Sequence, residues 1–228
     1  MKNIVVIPTY NEKRNILSLV KKIGDIDILF IDDNSPDGTA DVIEKLKMKN
    51  EKLKIIKRER KMGLGSAYRA GFKYALDNGY DNVIMMDADL SHPPEKIPEL
   101  LDVDADFVVG SRYIKGGKIV GWPWYRYFLS KYANIYAKTF LKMPINDLTG
   151  GFNRIKKEVL EEIDFEGLKS DGYAFQIELK YYAWKKGFKL REIPITFKER
   201  EKGKSKLSKK IVWEAFWLVL DLSVRCKV

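Results

Sequence analysis

The chain has 228 residues, of which 45% are apolar and 32% charged. That suits one large folded body with a substantial core, or one domain with appendages, and argues against a chain made of membrane spans. A formal net charge of +10 favours phosphate-bearing partners, whether nucleic acid, an anionic membrane or a phosphorylated small molecule. The single cysteine, Cys226, excludes an internal disulfide and makes a reducing compartment the default.

The first apolar run stops at Pro8, so the N-terminus does not read as a signal peptide, and no stretch reaches the ~18 uninterrupted apolar residues of a membrane span. Ile4–Ile7 reads as a buried strand. Asn11 is placed to cap a helix running to Lys22 and stopping at Gly24. A second strand is expected at Ile28–Ile31, and Thr39 is placed to cap a helix to about Lys49. Leu53–Ile56 reads as a third strand, Ser66–Asn78 as a helix ending at Gly79, Val83–Met86 as a fourth strand and Phe107–Val109 as a fifth. The strand runs are short, β-branched and not alternating, as for strands covered on both faces. Strand–helix–strand alternation implies an α/β fold with a mostly parallel sheet flanked by helices.

The second half differs. Trp122–Lys142 is aromatic and basic, with Leu129, Tyr132, Ala133, Tyr136 and Phe140 on one helical face and Lys131, Asn134, Lys138 and Lys142 on the other. Pro144 ends it. Residues 185–210 form a strongly basic run. Ile211–Val224 reads as a mostly apolar helix with a narrow polar stripe. Two amphipathic helices are therefore expected, one at about 124–143 inside a main body of residues 1–207 and one within 208–228, each suited to lie in a membrane interface or to pack on that body.

Four polar clusters follow strands: Pro8–Glu12, Asp32–Gly38, Asp87–Asp89 and Gly110–Tyr113. All fall at the carboxyl edge of one sheet, where open α/β sheets bind ligands. In an extended segment Asp87 and Asp89 point the same way and could share one hard cation, Mg²⁺ or Mn²⁺, with diphosphate oxygens. The plainer reading is a solvated turn with capping acids. Asp32 and Asp33 at a strand tip repel each other unless something cationic or hydrogen-bonding is present. The acids and Ser35 of that loop could bind the base and ribose of a nucleotide, or form only a polar turn. Gly63 and Gly65 could admit a close backbone approach but make no P-loop, because no Gly-Lys-Ser/Thr follows. His92, the only histidine, precedes two prolines and reads as a turn residue without chemistry.

The ordered set of motifs resembles family 2 glycosyltransferases with the GT-A fold, and more narrowly dolichol-phosphate mannose synthases and related polyprenyl-phosphate glycosyltransferases. Besides the four clusters it includes Leu90–Pro94, Asp147–Phe152, Phe175–Glu178, and Arg200 with Gly203–Leu207. The resemblance implies that Pro8, Tyr10, Glu12, Ile31, Asp33, Asp87 and Ala88 contact the donor nucleotide-sugar. It implies that Asp87 and Asp89 hold Mg²⁺ or Mn²⁺, with Ser91 at the third metal position. Arg112, Arg126, Ser130 and Arg200 would surround the acceptor phosphate and the transferred sugar, with Asp89 and the three arginines as the catalytic set.

The reaction so implied is displacement at an anomeric carbon, with inversion, by a polyprenyl or dolichyl phosphate. GDP-mannose is the expected donor and a UDP-linked glucose or GlcNAc the alternative. A phosphate monoester with a second pKa near ~6 is already mostly dianionic, so no strong base is required. A peripheral location on the cytoplasmic face of a membrane follows, with small membrane partner subunits possible. A basic nucleic-acid-binding domain is the remote alternative. It matches no recognised module and leaves the acidic strand tips unexplained, so no nucleic-acid partner is expected. A membrane-docking protein without catalysis is the third.

Overall fold

The computed structural model describes residues 1–168, 170–199 and 209–225. A seven-stranded sheet is built from β1 (Asn3–Thr9), β2 (Asp27–Asp32), β3 (Leu53–Lys57), β4 (Asn82–Met85), β5 (Phe107–Ser111), β7 (Asn153–Lys156) and β8 (Leu190–Pro194), in the order β3-β2-β1-β4-β7-β5-β8. A separate parallel pair joins β6 (Lys118–Val120) to β9 (Thr196–Lys198). The helices are α1 (Ile16–Ile23), α2 (Thr39–Lys47), α3 (Leu64–Asp77), α4 (Ile97–Asp102), α5 (Trp124–Leu141), α6 (Lys157–Glu162), α7 (Gly172–Lys185) and α8 (Lys209–Arg225).

The five expected strands are present, but the sheet is larger and mixed. β7 lies antiparallel between β4 and β5, and β8 extends the edge parallel to β5. Neither was legible. β7 is Asn-Arg-Ile-Lys, and β8 lies inside the run read as a basic segment. Arg154 of β7 is fully buried because its guanidinium donates to the carbonyls of Leu100, Val103 and Ala105, which ties β7 to the turn before β5.

Successive residues of β1 point to opposite faces, and both faces are covered. Ile4 and Val6 join one core with Tyr68 and Phe72 of α3, Phe175 of α7 and Val219 and Leu222 of α8. Val5 and Ile7 join a second core with Ile16 and Leu19 of α1, Ile43 of α2 and Ile97 of α4. A helix on each side removes the alternation that a half-exposed strand would show. The chain moves outward from β1 to β2 and β3, then crosses to β4 on the other side of β1. The switch point of the topology therefore lies between the carboxyl ends of β1 and β4.

Two helix starts differ from expectation. Asn11 does not cap α1; it takes a left-handed conformation (φ 63°), and the helix begins at Ile16. Thr39 is the first residue of α2, and its hydroxyl and amide are held by Asp37. In α5 much of the apolar stripe is exposed, as an interface helix requires, and one residue of the expected polar face is buried. Asn134, assigned to the polar face, is buried with Ala137 and Leu141, while Trp124, Tyr125, Phe128, Leu129, Tyr132 and Phe140 are exposed. Asn134 tolerates burial because its amide is saturated: Nδ2 donates to Ser130 O and Thr149 Oγ1, and Oδ1 accepts from the amides of Leu148 and Thr149.

Helix α3 approaches β1 at Gly71, where an added Cβ would run into Val6 Cγ1. Alanine there gains ~1 kcal/mol of helix propensity but overpacks a closed contact, at ~1–3 kcal/mol. Urea denaturation should show Gly71→Ala destabilised by roughly 1 kcal/mol. In a Val6→Ala background the same change should become stabilising. A stabilising Gly71→Ala with Val6 intact would contradict this packing.

Candidate active site

Strand-end loops meet at the switch point. Thr9 Oγ1 donates to Asp32 Oδ2 at 2.9 Å, and Asp32 Oδ1 accepts the Ser35 amide at 2.9 Å. The Asn11 amide donates to Ser35 Oγ and the Glu12 amide to Thr39 Oγ1, both at 3.0 Å. These bonds sew the loop after β1 to the loop after β2. The acidic tip is resolved within the chain. Asp33 pairs with Arg58 and accepts the Met62 amide at 3.1 Å, so both its oxygens have protein partners. Arg58 also reaches Ser66 Oγ and Gly63 O. The cationic and hydrogen-bonding partners that two adjacent carboxylates require are thus supplied by the chain itself. Gly63 makes room for the Asp171 side chain, whose Oδ1 accepts the Gly65 amide at 2.6 Å, and Gly65 makes room for the Ser170 carbonyl and the Phe175 ring. Around this edge Pro8, Tyr10 and Glu12 are partly exposed. Lys61 Nζ lies 4.5 Å from the centre of the Tyr10 ring. Ile31 and Ala88 are buried.

β4 ends at Met85, so Asp87 and Asp89 do not lie on an extended segment. Ala88 and Asp89 form a turn, and Leu90 is left-handed (φ 61°). What aims the two acids is the turn itself: Asp89 Oδ1 accepts the Ser91 amide at 3.1 Å, and His92 Nδ1 accepts the Asp87 amide at 3.1 Å. His92 is therefore more than a turn residue. It is buried, stacked on Phe152 and edge-on to Phe197. Burial lowers its pKa, against the pull of Asp87 and Asp89, and a neutral ring is what an Nδ1 acceptor requires.

Asp87, Asp89 and Ser91 offer hard oxygen donors, and Ser91 Oγ is buried without a protein partner. That donor set fits Mg²⁺ or Mn²⁺. Among the described residues no group of three or more His, Cys, Asp or Glu could hold a metal, so further oxygens at such a site come from Ser91, water or a ligand. Tyr68, fully buried beneath the turn, has its pKa pushed up by burial and then by Asp87 and Asp89.

A second constellation lies across the segment 146–151. Asp147 is fully buried and accepts Arg112 Nε and Nη2, each at 2.7 Å, along with the Arg112 amide. Burial alone would raise the Asp147 pKa, but the adjacent guanidinium holds it below the usual carboxylate range. Arg112 Nη2 also donates to Thr149 Oγ1 at 2.9 Å. Glu192 of β8 accepts the Asn146 and Asp147 amides, Asn134 of α5 takes those of Leu148 and Thr149, and Lys180 of α7 donates to Leu148 O and Gly150 O. Trp122 sits between Arg112 and Arg126, whose guanidinium carbons lie 5.7 and 4.1 Å from its ring centre. Arg126 pairs with Glu199 at 2.7 Å, and Ser130 Oγ accepts Tyr113 Oη at 2.7 Å.

The structure thus brings Arg112, Arg126 and Ser130 together, with Arg112 already committed to Asp147. Arg200 lies outside the described residues. From Arg126, Ser130 and Thr149 a groove of about 280 Å³ runs between α5 and α8, lined by Leu129, Tyr136, Ile177 and Phe216 among others.

Asn134, Asp147, Lys180 and Glu192 had no assigned role in the sequence. The available signal was α7, where Gln176, Glu178 and Lys180 recur every second residue among apolar ones. A helix buried on all sides, as α7 is over residues 174–181, keeps such side chains only if they are paired or used.

An open, mostly parallel sheet with paired aspartates at its switch point is the arrangement expected of the GT-A fold. Residues 4–164 match glycosyl transferase family 2, and the chain belongs to that family. It is 43% identical, over 98% of its length and 88% of the relative, to the polyprenol monophosphomannose synthase of Mycolicibacterium smegmatis. It is 39% identical to the undecaprenyl-phosphate mannosyltransferase of Micrococcus luteus, over 94% of this chain and 91% of that one. Among solved structures, glucosyl-3-phosphoglycerate synthase from Mycobacterium tuberculosis with Mn²⁺ and UDP-glucose has a TM-score of 0.67 at 16% identity, covering 100% of this chain and 79% of that one. A Pyrobaculum calidifontis mannosyltransferase with GDP-Man and Mn²⁺ has a TM-score of 0.59 at 16% identity, covering 98% and 73%. At such identities the likeness is one of fold.

Burial lowers the Lys180 pKa from its ordinary 10.5 to about 7, despite the opposing pull of Asp147. Between these values the unfolded chain holds a proton that the folded chain lacks, so this group makes stability rise with pH across that window. The slope approaches ~1.4 kcal/mol per pH unit. The unfolding free energy of the wild type minus that of Lys180→Met should climb from pH 7 to 9.5 in urea titrations. A flat difference would show that Lys180 keeps its ordinary proton affinity.

Proposed function

We propose that the protein transfers mannose from GDP-mannose to a polyprenyl phosphate, with inversion, while lying peripherally on a membrane surface. The carrying observation is the groove between α5 and α8. It is apolar along its length, basic at one end, and its polar end shares Thr149 with the segment that borders Asp87. Such a shape suits an isoprenoid tail whose phosphate rests near Arg126 and Ser130. The two relatives of similar length, named for polyprenol- and undecaprenyl-phosphate mannosylation, support the same substrates.

Pro8, Tyr10, Glu12 and the Asp33–Arg58 pair frame the nucleotide; Ile31 and Ala88, being buried, back that frame from within. Asp87, Asp89 and Ser91 would hold Mg²⁺ or Mn²⁺, which when bound offsets charge on the leaving diphosphate. The phosphate oxygen of the lipid forms its bond to the anomeric carbon as the carbon–oxygen bond to the nucleoside diphosphate breaks. No proton moves, so the chain need supply no base. Its arginines align two anions that would otherwise repel. Arg126 faces the groove, and Arg112 acts through Asp147 and Thr149 by fixing the shape of the phosphate end, while Arg200, outside the described residues, is assigned to the acceptor phosphate by the family resemblance alone.

A lipid acceptor stays in its bilayer, so the enzyme has to come to it. Trp124, Trp213 and Trp217 are 74%, 60% and 61% exposed, and all lie on α5 and α8, the helices that wall the groove. Among the described residues no helix is long and apolar enough to cross a membrane. Docking in the interface, with aromatic rings at headgroup depth, accounts for apolar surface that would otherwise meet water. We place the enzyme on the cytoplasmic face, where the single cysteine is kept reduced.

The test is transfer of radiolabel from GDP-mannose into the organic phase, using vesicles that contain undecaprenyl phosphate. Asp89→Asn and EDTA should each remove at least ~10²-fold of the rate. Arg126→Ala should raise the acceptor KM, with lysine restoring it only in part because it lacks the bidentate fork. Full activity in EDTA would overturn the metal reading. Label moving from UDP-glucose in preference to GDP-mannose would overturn the sugar assignment.

A further inference from the structure

Gln176 lies on α7 and is 2% exposed. Its orientation follows from a chain of donors and acceptors. The Gly150 carbonyl can only accept, so the Asn153 atom facing it at 3.2 Å is the amide nitrogen. The same nitrogen faces Gln176 at 3.0 Å, so the Gln176 atom there is Oε1. Gln176 Nε2 therefore points the other way, buried, without a protein partner.

That nitrogen is aimed at a defined place. A Cβ built on Gly151 would stand 3.7 Å from Gln176 Nε2, 3.9 Å from Asp87 Oδ1 and 3.6 Å from His92 Cε1. Glycine leaves this space open. Tyr68 Oη, which senses the charge of both Asp87 and Asp89, is also buried without a partner. Inside a buried helix, an amide donor left unpaired is a liability that leucine or methionine would remove.

The position also selects what the donor meets. Asp87 and Asp89 mark the diphosphate end, and Arg126, Ser130 and Thr149 mark the acceptor end. The transferred sugar has to lie between a leaving diphosphate and an attacking phosphate. Gly151 stands in that interval, two residues from Thr149 and beside Asp87.

We propose that Gln176 is a sugar-contacting, specificity-determining residue, whose Nε2 donates a hydrogen bond to a hydroxyl oxygen of the transferred hexose. This rests on the reading of Asp87 and Asp89 as the diphosphate edge. A neutral amide suits a hydroxyl, whereas the diphosphate charge is met by a cation. Asn153 is its positioning partner, since the bond to Oε1 fixes which way the amide faces.

Two variants separate donor from acceptor. Gln176→Glu keeps an oxygen for Asn153 and loses the N–H; Gln176→Met removes both at similar volume. Titration with GDP and Mn²⁺ should show affinities within about twofold of wild type in both variants. The kcat/KM for GDP-mannose should fall at least tenfold, with the polyprenyl-phosphate KM unchanged. Unchanged kcat/KM in a folded Gln176→Met would mean that Nε2 binds only a structural water, and would overturn the proposal. A parallel loss of GDP affinity would overturn it in favour of a diphosphate contact. Asp89→Asn in the same titration separates the two failures. Weakened GDP–Mn²⁺ binding there, with binding kept in the Gln176 variants, is the expected pair. Undiminished binding in Asp89→Asn would place the donor elsewhere and overturn both readings.

Discussion

A carboxylate with no exposed surface survives only if its charge is matched nearby, and Asp147 is matched by Arg112 through two bonds of 2.7 Å. The pair fixes more than itself. Asp147 anchors a segment whose next residues form the polar end of the groove at Thr149 and the wall beside Asp87 at Gly151. Arg112 reaches forward to the same Thr149. Glu192, Asn134 and Lys180 then bind the amides of residues 146–149 and the carbonyls of Leu148 and Gly150 from β8, α5 and α7. The segment is thus held from four elements, and it borders both Asp87 and the α5–α8 groove.

That arrangement addresses the physical problem of the reaction. A water-soluble diphosphate and a lipid phosphate are both anions and arrive from different phases. In the proposed function the sheet edge takes one and the α5–α8 groove the other. α5 connects them because its inward face is Asn134, bonded to the amides of the shared segment, while its aromatic face is left outside. A helix packed the usual way, with rings inward, could do neither. α8 shows the same division more mildly. Val219 and Leu222 enter the core and Phe216 stacks on Tyr136, while Trp213 and Trp217 remain outside.

Much of the frame was legible because burial on both faces leaves a local mark. Ile4–Ile7 and Ile28–Ile31 read as strands, and the acids after Met86 stood out as a pair. What escaped depended on distant partners. Arg154 reads as a surface charge until three carbonyls 49 to 54 residues away are placed around it. Asp33 looks like a ligand-seeking acid until Arg58 is folded against it. The period of α5 gave two faces but not which one met the core, since that depends on where residues 146–151 run. Lys180 and Gln176 carry no local signal beyond being polar in an apolar helix.

The central claim is that the lipid lies between α5 and α8 with its phosphate toward Arg126. A short polyprenyl phosphate bearing a photoreactive group on its tail can be irradiated with the enzyme and the adducts mapped by mass spectrometry. Adducts should concentrate in peptides covering Leu129–Tyr136 and Ala215–Val219, and excess undecaprenyl phosphate should suppress them. Labelling of the opposite face, on α1 or α2, with equal competition by undecaprenyl phosphate, would contradict the account.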